Sequence, residues 1–332
     1  MTATTAVAVA LGRRPNGRRP RVGPFFSRAA HLIVVLTLVT FAGVALSGLM
    51  PGSPASVILG PEATAEQVAE LDAEFGFDQP LLVRYGMWLG SALQGDLGRS
   101  LQTNEPVLDV LLQRLPVTLE LTVLALALAL ALAVPLALVA ARREGGIVDR
   151  VVSGFASVLL SVPTFVSGVA LVAILAIGAG LFPVAGWAPA SQPGANLRFI
   201  ALPVIVLALA EFPAFFRLLR GDLISTLRED FVTTARVRGL PGSYVLLRHV
   251  LRPSSIPLVT VAAVAFGRLI AGSIVVESLF SLPGLGGLAI QSIPAKDLPV
   301  IQGIIVLVGV TYVLVNLFVD GLHRLLDPRI TR

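Results

Sequence analysis

The chain offers few groups that could carry out chemistry. An ATP-binding loop of the G-x-x-x-x-G-K-[ST] type needs a lysine to reach the phosphates. The one lysine, Lys296, follows Ala295 rather than a glycine. The chain is therefore expected to have no Walker-type ATPase site of its own. His31, His249 and His323 stand far apart, and neither an H-E-x-x-H zinc pattern nor a G-x-S-x-G nucleophile elbow occurs. The absence of cysteine excludes disulfides, thiol catalysis and thiolate metal sites. Nothing here argues for an enzyme, and no metal or cofactor is expected on the chain itself. What remains is charge in unusual places. Glu211, Arg268 and Glu277 lie in apolar surroundings, and arginines crowd the segment about 219–256.

The elements that must position these residues are membrane spans. The 332 residues are 55% hydrophobic and only 14% charged, where a soluble domain carries about 25% charged residues. No Asp, Glu, Lys or Arg occurs from Ala29 to Pro61, Leu121 to Ala141, Val151 to Leu197 or Leu298 to Val319. A spanning helix needs about 20 largely apolar residues. The pattern predicts an all-α integral membrane protein of six transmembrane helices, at about 30–49, 116–141, 151–179, 199–218, 257–279 and 300–319. A cleaved signal peptide, with Ala45-Leu46-Ser47 as its processing site, is the rival for the first; the full spanning length of the run favours a span. Pro135, Pro163, Pro203, Pro213 and Pro257 fall in or at the entry of these spans. Breaks at proline are tolerated where protein or a wet cavity satisfies the freed groups. They fit a transport pathway but are common in membrane proteins generally.

Residues 1–28 carry six arginines, three prolines and no acid, and read as a disordered basic arm ahead of a helical domain over 29–332. With that arm inside, the inner segments also hold three basic residues in the 142–150 turn, seven between Arg217 and Arg252, and three in the tail. The outer loops hold only Arg84, Arg99, Arg114, Arg198 and Lys296. The positive-inside rule then gives N-in and C-in. The net charge of +5 is thus a matter of membrane orientation, and no nucleic-acid partner is expected.

The outer loop, about 50–115, holds Thr64-Ala65-Glu66-Gln67, a capping box that opens an amphipathic helix. Ala65, Val68, Leu71 and Phe75 share one face, and Glu66, Glu70 and Glu74 another. A solvated surface helix is the plainer reading; an acidic docking face is the sharper one. At the inner side, Asp230–Leu240 reads as a helix stopped at Gly239, and Pro241 can start a second one. Tyr244, Leu247 and Leu251 then form an apolar stripe flanked by Arg248 and Arg252. This hairpin suits a socket for a soluble partner, or else an interfacial helix with arginines on lipid phosphates.

Glu211 sits midway along span four and Arg268 midway along span five. The spans run in opposite directions, so the two lie at similar depth. A lone charge there costs at least about 2.5–3.5 kcal/mol, so such residues pair or line a wet cavity. A salt bridge or one shared polar cavity at the pore is expected, or a pair that only locks the two spans together. Glu277, near the end of span five, is counted with them as a pore or pair candidate.

Thr233-Thr234-Ala235 and Gly239-Leu240 resemble the E-A-A-x-x-x-G loop of binding-protein-dependent ABC permeases, in the variant of the oligopeptide, dipeptide and nickel branch. Gly60-Pro-Glu-Ala-Thr64, Gly76-Phe-Asp-Gln-Pro80 and Gly95-Asp-Leu-Gly-Arg-Ser100 are similar to that branch's first outer loop. Arg114–Glu120 resembles its entry to span two, Val276–Gly286 its loop after span five, and Leu326-Asp-Pro-Arg329 its C-terminal end. The resemblance implies a multi-pass inner-membrane permease that forms half of a peptide translocation pore with a second permease subunit. It implies two cytoplasmic ATP-binding subunits that hold ATP and Mg, and an extracytoplasmic substrate-binding protein. The segment around Thr233, Thr234, Ala235, Gly239, Leu240 and Tyr244 would couple to one ATPase. Nickel-chelate and glutathione importers share these strings. A secondary transporter is the alternative from another class, although no convincing repeat relates residues 30–180 to 199–320.

Overall fold

The computed structural model describes residues 24–48, 54–60, 62–74, 76 and 78–326. Most of the basic arm, and Asp327-Pro-Arg329 of the C-terminal string, lie outside them. Helix α1 (Pro24–Gly48) already begins inside the stretch 1–28 expected as disordered. Three short helices follow in the outer-loop segment: α2 (Pro54–Leu59), α3 (Ala65–Glu74) and α4 (Leu81–Ala92). The capping box forms at α3. The Gln67 backbone N–H donates to Thr64 Oγ1 at 3.3 Å, and the Thr64 N–H donates back to Gln67 Oε1 at 2.9 Å.

The long elements come next. They are α5 (Val107–Arg142), α6 (Ile147–Ser161), α7 (Thr164–Leu171, continued by a π-helical turn Val172–Gly178) and α8 (Pro193–Leu227). After these come α9 (Asp230–Val237), α10 (Gly242–Tyr244, continued by a π-helical turn Val245–Val250), α11 (Leu251–Gly272), α12 (Ile274–Leu279), α13 (Leu285–Ser292) and α14 (Leu298–Leu326). Among the described residues the only β pairing is one isolated bridge between Arg99 and Pro106.

Among the described residues four helical runs are long and apolar enough to cross a membrane: Val107–Arg142, Pro193–Leu227, Gly242–Gly272 and Leu298–Val315. Helices α6 and α7 pass that test only as a pair, bent by 106°. The continuous span expected over 151–179 is thus broken. Val162 is extended (φ −102°, ψ 123°) and Pro163 follows it at ψ 141°. A proline ring disfavours the helical region for the residue before it, and here that preference prevails. Pro116, Pro135, Pro203, Pro213 and Pro257 stay inside their helices. Six crossings would need both α1 and the bent pair to span.

The core is built on contact between α5 and α8. Ala125, Ala129, Ala133, Ala137 and Ala140 recur at helical spacing on α5 and are fully buried. Leu132 and Val139 of the same helix face outward. Small residues let helix backbones approach closely, which matters in lipid because apolar side chains gain nothing there by leaving water. Phe212, Phe215, Phe216, Leu219 and Leu223 of α8 pack with the lower alanines. At the other end, Val117 and Leu121 of α5 join Ile200, Val206, Leu269 and Phe280. Val107 and Leu111 close against α13 and α14 through Leu285, Val300 and Ile304.

Candidate functional site

Helices α9 and α10 form the hairpin expected between spans four and five. Its first helix stops as a glycine stop should. Gly239 adopts φ +78°, its N–H donates to Arg236 O at 2.9 Å, and the Leu240 N–H donates to Ala235 O at 3.3 Å. That six-residue closure satisfies carbonyls left open at the helix end, and glycine adopts the left-handed backbone without a Cβ penalty. Val232 and Ala235 turn inward, and with Val245, Leu246 and Val250 they join the core formed by α5 and α8. The opposite face is exposed and carries an apolar crest, Phe231, Val237, Leu240, Tyr244 and Leu247, with Arg236, Arg238 and Arg248 exposed beside it. Thr233 and Thr234 are exposed as well, and Thr234 Oγ1 donates to Asp230 O at 3.0 Å. Tyr244 sets its ring edge-on to His249, with centroids 5.4 Å apart. The hairpin is therefore fixed to the core on one side and presents an apolar crest on the other. Crests of this kind on a folded chain mark interaction surfaces.

Two ion pairs brace the same end. Arg220 Nη2 donates to Asp149 Oδ2 at 2.7 Å, and the Gly145 N–H donates to the same oxygen at 2.8 Å. Arg228 Nη2 lies 2.9 Å from Glu144 Oε2. Together they tie the 142–150 turn to the part of α8 that leads into the hairpin. Sequence reasoning counted that turn only for its basic charge. The signal it left unused is that Arg220 and Arg228 are eight residues apart, so they share a face of α8 toward the acids of the turn.

Within the spans, the structure brings Glu211 and Arg268 together: Arg268 Nη2 donates to Glu211 Oε2. The Glu211 side chain is 7% exposed and that of Arg268 is 64% exposed. The pair therefore has a buried end and an open end.

Glu277, the third of these candidates, stands apart from that pair. It is fully buried in a separate knot. Its Oε1 accepts from Thr118 Oγ1 at 2.7 Å and Ser273 Oγ at 2.8 Å. Its Oε2 accepts from the backbone N–H groups of Gly286 at 2.7 Å and Gly287 at 3.2 Å. Thr118 Oγ1 in turn accepts from the Leu285 N–H at 2.9 Å. The loop must come very close for this: a Cβ on Gly284 would lie 2.5 Å from Glu277 Cδ and 2.7 Å from Thr118 Oγ1. Two strings far apart in sequence, Arg114–Glu120 and Val276–Gly286, thus meet through one carboxylate. A similar staple holds the Gly95–Ser100 string. The Leu101 N–H donates to buried Asp297 at 3.1 Å, and Ser100 Oγ donates to its other oxygen.

The family described as the binding-protein-dependent transport system inner membrane component matches residues 133–332. The chain belongs to that family. The N-terminal domain described for the same transport-system membrane components matches residues 24–122. Relatives of this inner membrane component include a probable peptide ABC transporter permease of Sinorhizobium fredii, 36% identical over 91% of this chain and 97% of that protein. The dipeptide transport system permease DppB of Lactococcus lactis is 35% identical over the same shares. The glutathione transport system permease GsiC of Salmonella typhi is 34% identical, again over 91% and 97%. Among solved structures, the inward-facing MetNI methionine ABC transporter matches with a TM-score of 0.55 at 17% identity, over 66% of this chain and 96% of that one. The inner membrane component therefore shares that transporter's fold. It is a multi-pass inner-membrane protein.

Proposed function

We propose that this chain is the permease subunit of an ATP-driven peptide importer and forms half of its translocation pore. One observation carries the reading: an apolar crest, Phe231 to Leu247, stands on a hairpin whose other face is fixed to the α5–α8 core. A partner seated on that crest can push on the spans directly, because Val232 and Ala235 share a core cluster with Phe216 and Leu219. The partner is a cytoplasmic ATPase, one of two, and those subunits bind ATP and Mg. This chain contributes no ATPase site. A second permease completes the pore, and an extracytoplasmic binding protein delivers substrate to the outer mouth. The chain crosses six times with both termini inside, α1 and the bent α6–α7 pair each counting as one crossing. The arginines around the hairpin support that orientation. ATP must bind more tightly to one state of the assembly than the other, since a ligand shifts only an equilibrium whose states it binds unequally.

The direct test is copurification. The tagged chain, extracted in mild detergent, is expected to carry its ATP-binding subunits with it. Replacing Phe231, Leu240 and Tyr244 together by serine should release them while the permease pair stays associated. ATPases retained at wild-type amounts by that variant would contradict the seat. A binding protein that takes up glutathione and no longer peptide would instead move the substrate to that of the glutathione relatives.

A further inference from the structure

The open end of the Glu211–Arg268 pair faces a cavity. Helices α1, α11, α13 and α14 border a half-open cavity of about 660 Å³, lined by Val35, Ala271, Ala289, Ile304 and Tyr312 among others. Among the described residues Arg268 is the one charged group in its wall. A cavity of that size fits a small ligand, and sites of this kind are mostly apolar with a few placed polar groups. A guanidinium offers five N–H donors. Glu211 engages Arg268 through one nitrogen, and nearly two thirds of the side chain stays exposed. Arg268 lies in the apolar C-terminal half of α11, level with Glu211 in the middle of α8, and a charge at such a place does not face hydrocarbon but pairs or lines a path. Its free donors need an acceptor, and the apolar walls strengthen any charged one that enters. A planar carboxylate matches the guanidinium fork. Glu211 has two further effects. It holds the guanidinium in place, and it leaves the dyad neutral, so an arriving anion meets donors without a full unbalanced positive charge and can leave again.

We propose that this cavity is a substrate subsite within the membrane, in which Arg268 holds the free carboxylate of the transported peptide against apolar walls. The inference rests on the importer reading above and adds the substrate group that the permease itself recognises.

The test uses the assembled complex in phosphatidylcholine nanodiscs without its binding protein. Equilibrium binding is measured for radiolabelled trileucine and for its C-terminal amide. The acid should bind about tenfold more tightly than the amide, the difference expected for one charge-assisted, bidentate contact. In the Glu211→Gln/Arg268→Gln double variant, which keeps the site neutral, that preference should vanish. Arg268→Lys, which keeps the charge but loses the fork, should retain only part of it. The native chain has no cysteine. The Ala271→Cys variant, changed on the cavity wall, should therefore react only there in this chain with a water-soluble thiol reagent, and trileucine should protect it. Equal affinities for acid and amide, no binding of either, or a preference that survives in the double variant would overturn the proposal. So would an Ala271→Cys variant that never reacts, the sign of a cavity covered by the second subunit. Phosphatidylglycerol retained by the wild type and lost by the double variant, with no discrimination between peptides, would assign the cavity to lipid and also overturn it. ATP-driven uptake of trileucine by the same complex supplied with binding protein reports separately on the importer reading. Uptake without acid–amide discrimination removes the subsite and leaves the importer.

Discussion

Glu277 and Glu211 are both carboxylates buried among apolar helices, and they are satisfied in opposite ways. Glu277 has four donors around two oxygens, all from neutral groups, and no part of it reaches the surface. Those donors come from α5, the α11–α12 junction and the start of α13, so one anion joins three segments of the wall. Glu211 has a single cationic partner, and that partner is mostly exposed. A carboxylate saturated by fixed dipoles has nothing left to offer a ligand and serves to hold the loop. A carboxylate paired to an open guanidinium orients a group that still has donors to spare. The number and source of the partners, rather than depth in the membrane, separate a lock from a site.

The lock should give the largest effect when broken. Glu277→Ala would leave the Thr118 hydroxyl and two glycine N–H groups without an acceptor, while Ser273 keeps the Ile270 carbonyl, at about 3–5 kcal/mol in total. Thermal unfolding in detergent should show a large drop in Tm, and Glu277→Gln should recover part of it by restoring acceptors. A Glu277→Ala protein as stable as the wild type would remove the lock. At the open pair, Glu211→Gln alone should cost less, about 1–3 kcal/mol, because Arg268 loses its one charged partner but stays largely exposed. Adding Arg268→Gln should return much of that loss, with a coupling of about 1–3 kcal/mol in the double-mutant cycle. Simple additivity would mean that the two do not act as a pair.

The hairpin sharpens the contrast in a third way. Gly239→Leu forces a side chain into a left-handed backbone, costing about 1–2 kcal/mol locally. The space beside Gly239 is open in the isolated chain, so the damage should fall on the turn and on whatever docks there. ATP hydrolysis stimulated by loaded binding protein should collapse while the Tm of the spans barely moves. The smallest effect is expected at Arg228–Glu144, whose side chains are 70% and 48% exposed. Glu144→Gln should change stability by no more than about 1 kcal/mol, and a larger change would mean that this pair, too, is part of the bracing.

Much of this was legible in the sequence, because the signals were local or chemically costly. Thr64 and Gln67 sit three apart and cap α3 as that spacing requires. Gly239 stops α9 because only a left-handed residue closes that turn cheaply. Glu211 and Arg268 stood out because unpaired charge mid-span is expensive. The break at Val162-Pro163 was not legible: other prolines, such as Pro135 and Pro203, stay inside continuous helices, and hydropathy records length without direction. The partners of Glu277 were hidden for another reason. Thr118 lies 159 residues away, and two of the donors are backbone groups whose placement depends on the fold of the Pro283–Gly287 loop.

In the proposed function, ATP hydrolysis enters through the hairpin and drives peptide through a path formed by this chain. Proteoliposomes holding both permeases and both ATPases, supplied with loaded binding protein, measure that directly. Peptide should accumulate only when ATP and Mg are present on the ATPase side, and the Gly239→Leu complex should neither accumulate peptide nor show stimulated hydrolysis. Peptide accumulating without ATPases, driven by an ion gradient and abolished by an ionophore, would contradict the account and make the chain a secondary transporter.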